Sequence, residues 1–158
     1  MSKITTSISV RLERCSPKEY ERFRQYHYLP EPLHTAAECY LIVMGKCEVG
    51  FIGILPQASR GFHRSKRISR LVILPEYRGF GIGRRILNAM GRYFDRQGFA
   101  LRICTQSADM FRLLRRAKWH ELHYRRSKDK AAMKTFLYPA KKAVEGLVIY
   151  TPDLPFGK

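Results

Sequence analysis

The chain has 158 residues, the size of one domain with its own core, and we expect 1–158 to form a single domain. Its 45% hydrophobic content excludes a disordered chain, and its 30 lysines and arginines against 13 acidic residues give a net charge of +17. No apolar run approaches the roughly 18 residues of a membrane span, and the N-terminal residues lack the apolar stretch of a signal peptide. The four cysteines match no zinc or disulfide pattern. We therefore expect a cytoplasmic protein with reduced cysteines.

The first third of the chain predicts a strand, a helix and a hairpin. Alternation of apolar and polar residues predicts a strand over 8–12. Ser16 as N-cap and Pro17 at the first helical position predict the start of a helix. Two apolar runs, 39–44 and 49–55, flank a short turn and predict a hairpin of two strands.

A glycine-rich turn between a strand and a helix is the most informative feature. The apolar run 68–74 predicts a buried strand, and a helix is expected over 82–96. Gly79, Gly81 and Gly83 lie between them and allow a sharp turn with its N–H groups pointing one way. The partial positive charge of a helix N-terminus adds to this, so the turn predicts an anion cradle suited to a pyrophosphate.

Other glycine-rich motifs do not fit this turn. The dinucleotide-binding fingerprint needs its third glycine at position 84 or 86, where the chain has Arg84 and Ile86. The Gly-Lys-Ser/Thr of a P-loop is absent from the sequence. The pattern that does fit is Arg-x-x-Gly-x-Gly, at Arg78, Gly81 and Gly83.

The remaining third predicts a strand over 101–105, a helix through Ala117 that Ser107 or Asp109 caps, and a late strand within 119–124. The pattern then weakens. We expect a basic C-terminal extension over 125–158, with a possible last strand at 144–150, following a core of about 8–124. The order of elements predicts an α/β (α+β) fold with a mixed, mostly antiparallel central sheet flanked by helices.

The Arg-x-x-Gly-x-Gly turn and this order of elements resemble the GNAT superfamily, the Gcn5-related N-acetyltransferases. The resemblance implies an acyltransferase that binds acetyl-CoA or a related acyl donor. In this family the backbone of the turn holds the pyrophosphate, and the preceding strand offers backbone groups to the pantetheine arm. The residues that the resemblance assigns to the donor site are Ile73, Leu74, Arg78, Gly79, Phe80, Gly81, Ile82, Gly83 and Arg84.

One departure from the family concerns the general acid. Many GNAT acetyltransferases carry a tyrosine near the thioester sulfur, on the helix after the fifth strand. In this sequence Trp119 takes the position of the family's phenylalanine, which places Leu114 at the tyrosine position and Asp109 near the asparagine position. Leucine cannot donate a proton, which weakens the expectation of ordinary acetyl transfer without excluding it.

A second resemblance is to bacteriophage Mom-type DNA modification proteins. It rests on His27-Tyr28-Leu29, on the segment 69–83 and on the late Trp119. These GNAT-like proteins convert DNA adenine to N6-carbamoylmethyladenine, an anti-restriction modification, and iron has been implicated in them. The resemblance implies a DNA-modifying transferase in a bacterial host, acting on duplex DNA with base flipping.

This second resemblance also implies a site. His27, Tyr28 and Asp109 are the candidate catalytic groups and iron ligands, because an imidazole with oxygen ligands suits iron with open positions. Ser107 is a further catalytic candidate, or simply a helix cap. A histidine at the end of a helix also interacts favourably with the helix dipole, which is the alternative for His27.

The charge of +17 favours a polyanionic partner over a merely solvated basic surface. Three functions stay open: a DNA-modifying transferase, an N-acetyltransferase acting on a protein, polyamine or RNA amine, and a nucleic-acid-binding module without activity. The oligomeric state is open too, with a homodimer as one option. The candidate phosphate-binding residues are Arg60, Arg64, Lys66, Arg67, Arg115, Arg116, Arg125 and Arg126.

Overall fold

A seven-stranded sheet organises the molecule, in the order β1-β2-β3-β4-β5-β7-β6. The computed structural model describes residues 9–29, 31–57, 64–122 and 133–139. The strands are β1 (Val10–Cys15), β2 (Glu38–Met44), β3 (Cys47–Pro56), β4 (Ser65–Ile73), β5 (Ala100–Thr105), β6 (His120–Leu122) and β7 (Lys134–Leu137). Among the described strands, only β4 and β5 pair in parallel, so the predicted mixed, mostly antiparallel sheet is confirmed.

Helices cover both faces of the sheet. Two α-helices, α1 (Ile82–Arg96) and α2 (Ala108–Arg116), pack on one face. Two 3₁₀ helices, Pro17–Arg22 and Arg24–Tyr26, pack on the other. The core residues under the α-helices include Tyr40, Ile42, Ile52, Ile54, Ile86, Leu87, Met90, Phe94 and Leu114, and those under the 3₁₀ helices include Tyr20, Phe23, Cys39, Leu41, Phe51 and Val72.

The first predicted helix is thus a pair of 3₁₀ helices. Its start is as predicted, because the Ser16 hydroxyl accepts a hydrogen bond from the N–H of Lys18 and Pro17 opens the helix. Tyr20 and Phe23 are both buried against the sheet. A spacing of three residues places two side chains on the same line of a 3₁₀ helix, so this geometry buries both aromatic rings.

The parallel strands β4 and β5 separate toward their carboxyl ends. Their pairing runs from Ser65 with Ala100 to Ile68 with Ile103 and stops there, although both strands continue. A bulge in the pairing of β3 with β4 lies at the same level, beside Ser69. The sheet therefore opens into a V whose mouth faces the segment that follows β4.

The chain beyond 124 contributes to the core, which corrects the predicted core of 8–124. β7 lies between β5 and β6, and Phe136 is fully buried. Tyr138 packs directly on α1 at Gly91, where an added Cβ would lie 2.2 Å from the tyrosine ring. The late strand expected within 119–124 is confirmed as β6. The predicted last strand at 144–150 lies outside the described residues.

Helix α1 has 15 residues and α2 has 9. Among the residues described, no helix combines the length and the apolar composition that crossing a membrane requires.

Candidate functional site

The glycine turn forms an open cradle at the N-terminus of α1. Gly79 and Gly81 have φ angles of +86° and +75°, which L-residues with side chains rarely adopt. Gly81 is the N-cap of α1, so no side chain at the N-cap position accepts a hydrogen bond from the first N–H groups of the helix. A Cβ added to either glycine would meet no atom within 4 Å, so the turn faces open space. The cradle has room for a ligand against its backbone.

The N-terminus of α1 lacks the stabilising groups that α2 has. In α2 the Ser107 hydroxyl accepts from the N–H of Met110, and Asp109 places a negative charge in the first turn. The first turn of α1 has no acidic residue and instead carries Arg84 and Arg85. Positive side chains at the positive end of a helix dipole are unfavourable unless an anion binds there.

The side chain of Arg78 hydrogen-bonds to two backbone carbonyl groups next to the cradle. Its Nε donates to the carbonyl oxygen of Ile73 at 2.8 Å, and its Nη2 donates to the carbonyl oxygen of Tyr26 at 3.4 Å. The N–H of Leu74 donates to the carbonyl oxygen of Val49 at 2.9 Å. Some of the backbone groups that the resemblance assigns to the donor arm, at Ile73 and Leu74, are therefore already engaged within the protein.

The other predicted cradle residues divide by burial. Phe80 is 67% exposed at the rim, whereas the side chain of Ile82 is buried in the core under α1. A Cβ on Gly83 would make only an ordinary contact, 3.6 Å from Leu113. Gly83 also has no positive φ, so neither its backbone nor its surroundings require glycine at this position.

His27 lies beside the cradle, one residue after the Tyr26 carbonyl that Arg78 contacts. Its ring stacks on Tyr28 with centroids 4.7 Å apart and meets the edge of Tyr20 at 6.4 Å. Burial, together with the nearby charge of Arg70, lowers the pKa of His27 below 6.5, so the ring is neutral at pH 7. The N–H of Leu29 donates to Nδ1 at 3.1 Å, which places the proton of the neutral ring on Nε2.

A shallow cavity of about 680 Å³ adjoins this histidine. Tyr28, which is 53% exposed, forms part of its wall. His27 covers one face of the Tyr28 ring. The lining residues are Glu21, Arg22, Arg24, Gln25, His27 and Tyr28.

Arg70 is a site residue that the sequence pattern missed. From β4 it donates to the hydroxyl of Tyr20 at 3.2 Å and to the carbonyl oxygen of Glu31 at 3.1 Å. An arginine in an alternating strand gives no signal beyond that of a solvated position. Its role depends on two contacts 50 and 39 residues away in the chain, which the pattern does not reveal.

The structure does not bring His27 and Asp109 together. Asp109 is on α2, on the sheet face opposite the 3₁₀ helices; its side chain is 86% exposed and forms an ion pair with Arg112. Ser107 acts as the N-cap of α2, where its hydroxyl accepts a hydrogen bond from the N–H of Met110. The first turn of a regular helix accounts for both residues.

These positions do not fit the predicted iron site at His27, Tyr28 and Asp109. Within the described part of the chain, no three His, Cys, Asp or Glu side chains are grouped to hold a metal ion. The imidazole is also unsuited to ligation, because Nδ1 accepts from Leu29 and Nε2 then carries the proton. The metal prediction therefore has no support in this site.

The position at which many GNAT acetyltransferases carry a tyrosine acid holds Leu114 in this chain. Leu114 is fully buried in the core under α2, as its apolar side chain requires.

All four cysteines are free thiols, and burial raises the pKa of Cys15 to about 12 and of Cys39 to about 11. These two thiols are therefore not activated nucleophiles.

Lys66 is not available to a phosphate group, which corrects its assignment to the nucleic-acid surface. Its ammonium group pairs with Glu38 and lies 4.8 Å from the ring centre of Phe94, and the side chain is only 12% exposed. Arg64 is exposed but lies over the ring of Phe99. Both cations pack against the end of α1 and the loop that follows it.

The remaining basic candidates differ in their surroundings. Arg115 pairs with Glu121 at 3.0 Å, Arg116 is exposed on α2, and Arg67 is half-buried in β4. Arg60, Arg125 and Arg126 lie outside the described residues. The surface of α2 therefore carries the most accessible of the predicted phosphate contacts.

Comparison with known proteins identifies a family model that matches this chain. The family model for the acetyltransferase (GNAT) domain matches residues 35–133. No curated protein sequence matches the chain.

Solved structures share the fold at low sequence identity. An IAA acetyltransferase from Bacillus cereus is 14% identical, with 82% of this chain and 99% of that chain covered and a TM-score of 0.62. A GNAT family acetyltransferase from Elizabethkingia anophelis with acetyl-CoA bound is 15% identical, with 82% and 97% covered and a TM-score of 0.59. Arabidopsis thaliana Naa50, in complex with the bisubstrate analogue CoA-Ac-MVNAL, is 16% identical, with 82% and 97% covered and a TM-score of 0.59.

Proposed function

Since the chain belongs to the GNAT acetyltransferase family, we propose that it transfers an acyl group from acetyl-CoA, or a related acyl-CoA donor, to an acceptor amine. The observation that carries this proposal is the open glycine cradle at the uncapped N-terminus of α1, beside the V between β4 and β5. Acetyl-CoA is bound in the Elizabethkingia anophelis relative. Arg78, at the start of the turn, hydrogen-bonds both to the end of β4 at Ile73 and to Tyr26, the residue before His27, so the donor and acceptor sides are linked as a reaction between them requires.

The cradle residues fit the diphosphate of such a donor. The N–H groups of Ile82, Gly83 and Arg84 are the first of α1 and have no acceptor within the helix. The side chains of Arg84 and Arg85 add positive charge at the same point. A diphosphate would accept the backbone hydrogen bonds and remove the unfavourable interaction between these arginines and the helix dipole.

The donor supplies a thioester, whose carbonyl carbon an amine attacks while the thiol leaves. As the C–N bond forms the C–S bond breaks, and the leaving sulfur takes up the proton that the amine loses, so the protein must position the two reactants. Leu114 takes no part in proton transfer. The polar groups at the acceptor side are the Nε2–H of His27 and the hydroxyl of Tyr28, which are placed to orient the acceptor by hydrogen bonds.

Calorimetric titration with acetyl-CoA tests the donor half of this proposal. We expect the wild-type protein to bind acetyl-CoA and Arg84→Glu to bind it at least about tenfold more weakly, because the new charge opposes the diphosphate. Arg96→Glu, the same change at the other end of α1, is the matched control and keeps wild-type affinity. No binding by the wild-type protein, or equal weakening in both variants, contradicts the proposal.

An acceptor screen tests the second half. Purified protein is mixed with acetyl-CoA and panels of peptide, polyamine and RNA amines, and free thiol release and product mass are measured. Release that depends on one class of amine and is abolished in Arg84→Glu supports acyl transfer. Absence of release with every amine, from protein that binds acetyl-CoA, redirects the search to another acceptor.

A second candidate function is modification of an exocyclic amine in DNA, in the form of N6-carbamoylmethyladenine. The observation that favours it is the net charge of +17, far more than one diphosphate requires. The test is mass spectrometry of nucleosides from plasmid DNA of bacteria that express the protein, beside the Arg84→Glu variant. A heavier adenine nucleoside present only with the wild-type protein supports this candidate, and unmodified nucleosides from cells with folded protein reject it.

A further inference from the structure

We propose that Arg70 and Arg78 form a two-point clamp that fixes the His27 segment, defined as residues 26–29 and 31, against the donor strand β4 and the glycine cradle. Both arginines are then positioning residues for the acceptor side of the site. The inference rests on the proposed function for its catalytic meaning. Its geometry is independent of the identity of the acceptor.

The first point of the clamp is Arg78. One guanidinium nitrogen is tied to β4 through the Ile73 carbonyl at 2.8 Å, and another reaches the Tyr26 carbonyl at 3.4 Å. The same side chain therefore joins the end of the donor strand to the residue before His27. Arg78 also begins the turn that contains the cradle glycines, so the cradle and the segment share one brace.

The second point is Arg70, at the level where β4 leaves β5. Its Nη1 donates to the carbonyl of Ser69 at 2.8 Å, which fixes the guanidinium on the strand. Its Nη2 donates to the carbonyl of Glu31 at 3.1 Å, and its Nε donates to the hydroxyl of the fully buried Tyr20 at 3.2 Å. The far end of the His27 segment is thus tied to the bulged part of β4.

A guanidinium is needed at both points. Each arginine donates from two or three nitrogens in fixed directions to neutral oxygen acceptors on different segments. Lysine has the charge but a single ammonium nitrogen, and cannot reach acceptors that lie on opposite sides of a planar fork. Lysine substitution therefore separates the charge of the clamp from its geometry.

The clamp also sets the surroundings of His27. Tyr20 meets the ring at its edge, and Tyr28 stacks on one face. Burial is the main cause that lowers the pKa of the imidazole, and the charge of Arg70 lowers it further, whereas the hydrogen bond from Leu29 and the charge of Glu31 raise it. Removal of the guanidinium at position 70 is expected to raise the pKa of His27 and to loosen the wall of the adjoining cavity.

The test uses the full chain and the variants Arg70→Met, Arg70→Lys and Tyr20→Phe. Histidine NMR titration follows His27, assigned with His27→Gln, and amide hydrogen exchange follows residues 27–29. In Arg70→Met we expect a higher His27 pKa and about tenfold faster exchange, because the charge and the hydrogen bonds that hold the segment are removed. In Arg70→Lys we expect the wild-type pKa to be largely retained while exchange is still fast.

Acetyl-CoA affinity, measured on the same samples, separates this inference from the proposed function. Arg70 does not line the cradle, so its variants should bind acetyl-CoA within about twofold of wild type.

If Arg70→Met does not fold, Tyr20→Phe removes one clamp bond while keeping the ring, and faster exchange of residues 27–29 is still expected. Unchanged His27 titration and unchanged exchange in the folded variants would overturn the clamp. Failure of every sample to bind acetyl-CoA would count against the proposed function and leave these two readouts to decide the clamp.

Discussion

The indole N–H of Trp119 donates a hydrogen bond of 2.9 Å to Oδ1 of Asn88, joining the segment that follows α2 to the middle of α1. Trp119 is buried, and its ring meets Tyr138 edge-on at 5.5 Å. The end of β7, α1 and the segment after α2 therefore meet at one cluster. Because α1 carries the cradle at its N-terminus, this cluster fixes the helix that presents the cradle to the V.

The Trp119–Asn88 bond is expected to contribute about 1 kcal/mol to the free energy of unfolding, since Trp119 is buried and Asn88 is half-buried. Trp119→Phe and Asn88→Ala each remove it, and the double variant removes it only once. A double-mutant cycle by urea unfolding should give a coupling energy of about 1 kcal/mol. Strictly additive effects would show that the bond has no net stabilising effect.

Gly91 is expected to tolerate no side chain while Tyr138 is present. An added Cβ would lie 2.2 Å from the Tyr138 ring, so we expect Gly91→Ala to lower the free energy of unfolding by about 1–3 kcal/mol. In a Tyr138→Ala background the ring is absent, and the same change should cost nothing or stabilise α1 slightly. Thermal or urea unfolding of the four proteins measures this, and an equal cost in both backgrounds would contradict the packing.

Gly81 and Gly83 should differ in their response to alanine. Gly81 has a left-handed φ of +75°, so Gly81→Ala is expected to cost about 1–2 kcal/mol of stability. Gly83 has no such φ, and its Cβ would make an ordinary contact with Leu113, so Gly83→Ala should be neutral or stabilise by about 0.5–1 kcal/mol. Equal destabilisation by both variants would contradict the described turn.

The features that sequence can predict are local ones. Apolar spacing predicts a helix over 82–96, and α1 is Ile82–Arg96. The cradle is predicted because a sharp turn at a helix start needs glycine, and Gly79 and Gly81 have the positive φ angles that only such a residue adopts readily. Both conclusions depend on residues within a few positions of each other, where pattern and conformation are directly linked.

The features that sequence does not predict depend on distant residues. β7 is four residues in a lysine-rich stretch, and only its register with β5 and β6 shows that Phe136 belongs to the core. Arg70 and Arg78 reach residues 39 and 52 positions away. The iron prediction joins His27 to Asp109 by resemblance, whereas their elements pack on opposite faces of the sheet.

Stability should depend on the protonation of His27 at mildly acidic pH. Burial and the charge of Arg70 lower its pKa from 6.5 in the folded protein, so the unfolded chain binds this proton more readily. The free energy of unfolding should therefore fall as pH decreases below about 6.5, until the folded protein binds the proton too. Urea unfolding from pH 7.5 to 5 should show a shallower fall in His27→Gln than in the wild-type protein. Identical slopes in the two proteins would contradict a neutral, partly buried His27.

Nucleic-acid binding, if α2 contributes to it, should depend on Arg116 and not on Lys66. Arg116 is exposed on α2, whereas Lys66 is shielded by Glu38 and Phe94. Duplex DNA affinity should fall steeply with salt, and removing one cation that binds a phosphate should reduce the log–log slope by about 0.9. Fluorescence polarisation over a salt series should therefore show a reduced slope for Arg116→Ala and a wild-type slope for Lys66→Met. Lys66→Met is instead expected to be less stable, because the half-buried Glu38 loses its ion pair. Absent or salt-insensitive DNA binding by the wild-type protein would make the nucleic-acid prediction wrong, and a wild-type slope in Arg116→Ala would move the binding surface away from α2.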